Sequence, residues 1–218
     1  MKYKTEFMRL YTANSPNSAK VQLALAELGL DYEKKFMVLA KGEHQIEEFG
    51  RINPHRKVPV LDVDGSYIAE SGAILEYLGR TAGNGKWPDN AAHDAQLSRW
   101  LFFEAVHLAS ACGAIWWNDV LSPCRGAPEV GEARLEVALN ELDRSLNVLE
   151  ESLGGQDYLD AGGFTLADCA VGVAVSMLKG TRINPVEKWP GVAAYGARVR
   201  GRTAWTGAEG DRCLHWAD

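Results

Sequence analysis

"KVPVLDVDGSYIAES", residues 57–71, decides the fold. Val58 precedes Pro59, and proline pushes its predecessor out of the helical region, so the chain enters this stretch extended. From there it reads as strand, turn at Asp64-Gly65, and strand, which is a hairpin signal. A proline at the head of a strand or on an edge is tolerated. If its bond is cis, the turn becomes tight and fixed. The Val58 backbone would then be free to pair with something other than the sheet, such as a peptide-like ligand adding as a short strand. Taken alone, the segment reads as a plain loop-to-strand junction.

Upstream, "FMRLYT" (7–12) is strand-like, and a polar run at 14–17 opens onto a helical stretch, 18–28, that stops at Gly29. "DYEKKFMV" (31–38) suits a second strand, and "EHQIEEFG" (43–50) one or two helical turns. Downstream, "SGAILEYLGR" (71–80) places Ile74, Leu75 and Leu78 on one helical face. The order is β-α-β-α-β-β-α. A strand-helix-strand unit makes its strands parallel, and the hairpin adds antiparallel ones, giving a small mixed sheet covered by helices.

Gly, Asn, Pro and Asp concentrate in "TAGNGKWPDNAA" (81–92), where a domain boundary fits. Everything beyond reads as helix: 93–121, 129–153 with leucines at three- and four-residue steps, an apolar central helix at 165–180, and 190–200. The division is an α/β unit at 1–83, a link at 84–92 and an all-helical unit at 93–218.

The 218 residues are 46% hydrophobic and 24% charged, an ordinary globular composition able to bury a core without staples. A net charge of -6 argues against nucleic acid as a partner, although Arg51, His55, Arg56 and Lys57 form a small basic cluster. No stretch is long and apolar enough to span a membrane, and the first residues lack a secretory segment, so a cytoplasmic location is expected. Cys112, Cys124, Cys169 and Cys213 make no C-x-x-C pair and no zinc spacing, so no metal is expected, and Cys112 and Cys169 read as small core residues.

Two further stretches carry chemistry or its absence. In "AESGAIL" (69–75), Ser71 opens a helix whose free N–H groups attract a carboxylate. Glu70 beside it suits an ammonium, so the pair matches an α-amino acid head. The plainer reading is that Ser71 caps the helix. In "FTLADCAV" (164–171), Thr165 and Asp168 have the spacing of a capping box and read as structural.

"NPHRKVPVL", "ESGAIL" and "FTLADCAV", in this order and at these separations, resemble the cytosolic glutathione transferases over roughly residues 8–205. The resemblance implies a thioredoxin-like N-terminal domain, an all-α C-terminal domain, glutathione as co-substrate, a homodimer and a role in detoxification. Residue by residue, it implies that the Val58 backbone pairs with the cysteinyl part of glutathione and that Glu70 and Ser71 hold its γ-glutamyl end. "KGEHQIEEF" (41–49) is similar to theta-like members, which implies that His44 and Lys57 meet the glycyl carboxylate. Arg56 stands where many relatives place glycine.

In this family the turn after the first strand faces the glutathione sulfur. A donor there favours the thiolate and lowers its pKa. A thiol near its ordinary value of about 8.5 is little ionised at pH 7, and a drop of about two units, about 2.7 kcal/mol, makes most of it nucleophilic. Ser15 matches the serine-type members and Asn17 those with a T-P-N-like turn. Tyr11 and Thr12 also remain candidates, and Ser18 reads as the helix cap. The aromatic run at 100–117 borders the cleft in the family, which makes Phe103, His107 and Trp117 candidates for the electrophile pocket. Aromatics at these spacings are also ordinary core. The tail "TAWTGAEGDRCLHWAD" (203–218) is either a lid or a frayed end. The implied activity is attack of activated glutathione on small apolar electrophiles. The alternatives are a specialised dehalogenase, ether-cleaving or peroxidase enzyme, and a binding protein that retains the fold without turnover.

Overall fold

The computed structural model describes residues 7–205. The tail beyond Trp205, with Cys213 and the lid reading, lies outside the described residues. Trp205 itself is buried in the core.

The first unit runs β1 (Met8–Thr12), α1 (Pro16–Leu28), β2 (Glu33–Phe36), α2 (Glu47–Ile52), β3 (Val60–Val63), β4 (Ser66–Ala69) and α3 (Ser71–Ala82). The sheet order is β2-β1-β3-β4. β1 and β2 are parallel, and β3 runs antiparallel to both β1 and β4. The hairpin turns at Asp64-Gly65, both at positive φ, as the twist of a two-residue connection requires.

α1 begins earlier than the apolar pattern suggests. Pro16 takes the first helical position, where its missing N–H leaves no bond unmade. Ser15 is therefore the N-cap, its Oγ accepting the Ser18 N–H at 3.3 Å. Ser18, expected as the cap, instead lies inside the first turn and accepts the Ala13 N–H. Gly29, at φ +61°, stops the helix.

The second unit comprises α4 (Ala91–Phe103), α5 (Ala109–Trp116), α6 (Ser122–Arg125), α7 (Glu132–Leu153), α8 (Leu166–Ser176), α9 (Pro185–Lys188) and α10 (Pro190–Arg200). The span expected as one helix over 93–121 is interrupted by two π-helical turns, Glu104–Leu108 and Trp117–Leu121. α8 is buried along its whole length and packs on α1, α4 and α10, so one core runs through both units. It ends at Ser176 rather than at 180. The expected capping box starts it: the Asp168 carboxylate accepts the Thr165 N–H at 2.7 Å and the Thr165 hydroxyl at 2.9 Å. Cys112 and Cys169 are fully buried.

Candidate functional site

Asn53, buried before the cis Val58-Pro59 bond, organises one wall of the site. Its amide donates to the Lys57 carbonyl at 2.8 Å and its Oδ1 accepts the His55 N–H at 3.1 Å. This clamp turns His55, Arg56, Lys57 and Val58 toward a cavity of about 500 Å³ between the two units. Arg56 sits at φ +52° and donates to the Gln45 carbonyl at 2.6 Å. Glycine would meet that backbone at less cost, and the Gln45 bond is what the arginine gains instead. His44 reaches the same cavity from a short 3-10 turn, with a buried Nδ1 that has no hydrogen-bond partner. The mouth is thus cationic on this side, which suits a carboxylate.

The floor is the start of α1. Ser15, Pro16, Asn17 and Lys20 line it. The Ser15 hydroxyl donates to the Ser18 Oγ at 3.0 Å. Lys20, only 2% exposed, donates to the Asn17 Oδ1 at 2.7 Å and to Glu104 at 2.6 Å. A lysine only donates, so the Asn17 amide keeps its –NH₂ on the other side. The opposite wall is apolar: Ala109, Gly113, Trp116, Trp117, Leu121 and Met177. The indole of Trp117 is fixed by a bond to the Pro128 carbonyl at 3.0 Å.

The cavity therefore gathers Ser15, Asn17, His44, Lys57, Val58 and Trp117 from the sequence candidates. Tyr11 and Thr12 do not line it. Tyr11 packs its ring on Phe49 and Tyr67, and Thr12 is fully buried with its hydroxyl bonded to Gln22. Phe103 and His107 are also elsewhere. Phe103 packs on Trp100 and His107, and the His107 Nδ1 pairs with Glu141 on α7 at 2.9 Å. The π-helical turn that follows Phe103 and contains His107 rotates the helix, and Ala109, Gly113 and Trp117, at four-residue spacing, face the cavity in their place.

Glu70 and Ser71 are not in the cavity lining. They follow β4, and the register that pairs Val60 with Ala69 sets them opposite Pro59 and Val58, just past the ladder. Glu70, at φ +68°, is the N-cap of α3 and makes no capping bond, and Ser71 is the first helical residue. The first N–H groups of α3 thus lack a side-chain cap. The reading of Ser71 as that cap is corrected, because its place inside the helix leaves its hydroxyl no N–H to accept. Such backbone outliers concentrate at functional sites.

Sequence reasoning missed Lys20, Glu104, Ala109, Gly113 and Met177. A lysine inside the apolar run of α1 was the one available signal. Among the described residues no group of three or more His, Cys, Asp or Glu stands close enough to hold a metal, and no helix is long and apolar enough to cross a membrane.

A four-stranded thioredoxin-like sheet unit, joined to a helical unit across a cleft that opens beside a cis-proline turn, defines the class: two-domain proteins built on the thioredoxin-like fold. Within that class the chain belongs to the glutathione S-transferase family. Residues 6–80 match the model of the glutathione S-transferase N-terminal domain and 114–202 that of the C-terminal domain. A glutathione S-transferase of Hyoscyamus muticus is 30% identical over 90% of this chain and 94% of its own. A glutathione S-transferase domain-containing protein of Dictyostelium discoideum is 33% identical over 77% of this chain, which spans 66% of that longer relative. The crystal structure of the glutathione transferase URE2P6 from Phanerochaete chrysosporium, in complex with oxidized glutathione, is 28% identical, with a TM-score of 0.83 over 97% of this chain and 98% of the other.

Proposed function

We propose that this chain binds glutathione, ionises its thiol and directs the thiolate at small apolar electrophiles. The observation that carries the reading is the cavity's division into a polar floor at the start of α1 and an apolar wall on α5. In this reading unit 1–83 holds the peptide, unit 93–218 receives the electrophile, and 84–92 links them. His44 and Lys57 take the glycyl carboxylate, the Val58 backbone the cysteinyl part, and Glu70 with Ser71 the γ-glutamyl head. Asn17 donates to the sulfur, because its –NH₂ is free while the Ser15 hydroxyl is engaged with Ser18. Ser15 shapes the turn, and the positive end of α1 adds to the same field. Trp117 borders the electrophile.

The test is a titration of bound glutathione, following thiolate absorbance against pH. Ionisation about two units below the free thiol is expected, together with turnover of a panel of aryl halides and activated alkenes. Selective turnover of one halide, ether or peroxide in the panel would point to a specialised enzyme. Glutathione that binds with its thiol unshifted, without turnover, would make the chain a binding protein and end the enzymatic reading.

We propose a cytoplasmic homodimer as the working form. Phe102 and Val106, 69% and 61% exposed and one turn apart, offer an apolar patch for a second copy. Sedimentation at micromolar concentration should give twice the 23.9 kDa chain mass. A monomer across that range would refute it.

A further inference from the structure

We propose that the buried Lys20–Glu104 pair is the positioning device of the thiol site: Lys20 turns the Asn17 amide donor into the cleft and holds a positive charge beneath the sulfur. The inference deepens the function proposed above and rests on it. Three observations carry it.

First, the pair is deeply buried, the side chains 2% and 4% exposed, yet Lys20 reaches the cavity floor. Taking two charges out of water is costly, and a well-packed apolar pair would stabilise the fold as well or better. The pair's presence is therefore poorly explained by stability. Second, it joins the two units where the cleft closes. Lys20 stands on α1 of the sheet unit, and Glu104 opens the π-helical turn after α4 of the helical unit. Insertions of this kind within α-helices are frequent at functional sites. Third, the direction of the bonds is fixed by chemistry. The ammonium has three hydrogens and no acceptor. One goes to Glu104 and one to the Asn17 Oδ1, which forces the Asn17 –NH₂ away from Lys20.

Glu104, at 2.6 Å, offsets part of the ammonium's charge, and burial pushes its carboxyl up against the pull of Lys20. Cys112 on α5 lies near Glu104, and its thiol is pushed far up, first by burial and then by Glu104, so it stays neutral. His44, His55, Arg56 and Lys57 stand at the mouth on the sheet side. Asn17, on the same face of α1, is uncharged.

The experiment titrates the thiol of bound glutathione in the full-length protein, with binding measured separately by calorimetry. Lys20→Met should lower the acid dissociation constant of the bound thiol about tenfold, because the cation and the orientation of Asn17 are both lost. Glu104→Gln should raise it about threefold, because glutamine still accepts from Lys20 but no longer offsets its charge. A pair that only supports the fold cannot shift the thiol in opposite directions through its two halves. If Lys20→Met fails to fold with Glu104 left unpaired, Lys20→Met/Glu104→Leu replaces it, with the same tenfold fall expected. Opposite shifts of these signs support the assignment, and any other pattern overturns it. If wild type binds glutathione and acidifies its thiol while the variants break the pattern, this inference alone fails. If wild type leaves the thiol unshifted, the proposed function fails and takes this inference with it.

Discussion

Asp168→Ala should cost the fold about 3–4 kcal/mol and lower the melting temperature by roughly 10 °C. Asp168 is fully buried, and its carboxylate accepts three donors: the Thr165 N–H, the Thr165 hydroxyl, and the Leu159 N–H at 3.1 Å. Alanine leaves all three unmet inside the core, and each orphaned donor costs about 1–3 kcal/mol before relaxation. The damage cannot stay local, because α8 is the helix on which α1, α4 and α10 pack. Urea unfolding of wild type and variant gives the difference, and a loss under about 1 kcal/mol would refute the account.

The same carboxyl sets a pH slope. Burial pushes Asp168 up to about 6, against the pull of its hydrogen bonds. Its unfolded value is about 3.9, so between those limits the unfolded chain has released a proton that the folded chain retains. Stability then falls as pH rises from about 4 to about 6, by about 3 kcal/mol, and the slope ends above that window. Asp119 shows the opposite balance. Burial raises its carboxyl, but Arg182 outweighs burial and holds it low, so its stabilisation is lost on acidification below the window. Melting temperature followed across the window should fall in wild type and fall less in Asp168→Asn, since Glu104, raised by burial, slopes the same way. A variant with the wild-type slope would show that the slope lies elsewhere.

Wherever the governing chemistry is local, the sequence was legible. Asp64-Gly65 specifies its hairpin, Thr165 and Asp168 their box, and Gly29 its helix end, each within a few residues. The sheet followed, since a strand-helix-strand unit beside a hairpin has few arrangements. The Asn53–Lys57 clamp acts over a similarly short range, and the candidates around it, Lys57 and Val58, do line the cleft. What was not legible depends on distance or phase. Lys20 meets a carboxylate 84 positions away; its place in the apolar run signals a buried charge, but nothing nearby names the partner. Phe103 and His107 were misplaced because a π-helical turn breaks the 3.6-residue period on which face assignments rest. Ser18 was misread as the cap because the apolar pattern starts after Pro16, although the proline itself marks the first helical position.

The second large effect separates the two candidate donors of the turn. Asn17→Ala should lower kcat/KM toward a model aryl halide by about a hundredfold, the usual size of losing one donor to a developing or resident anion. It should also cost about 1–2 kcal/mol of stability, because the buried Lys20 ammonium loses an acceptor. Ser15→Ala should lose stability too, but little rate. It removes the N-cap of α1, costing about 1 kcal/mol, and lowers kcat/KM less than tenfold, because the Ser15 proton already goes to Ser18. Steady-state kinetics beside urea unfolding on both variants gives the split. A hundredfold loss in Ser15→Ala with Asn17→Ala near wild type would make the hydroxyl the donor. That outcome would require Ser18 to release the Ser15 proton when glutathione binds. The rates separate because the two side chains make different bonds in one turn: the Ser15 oxygen satisfies a peptide group of α1, while the Asn17 amide, its oxygen held by Lys20, keeps its hydrogens for the thiolate.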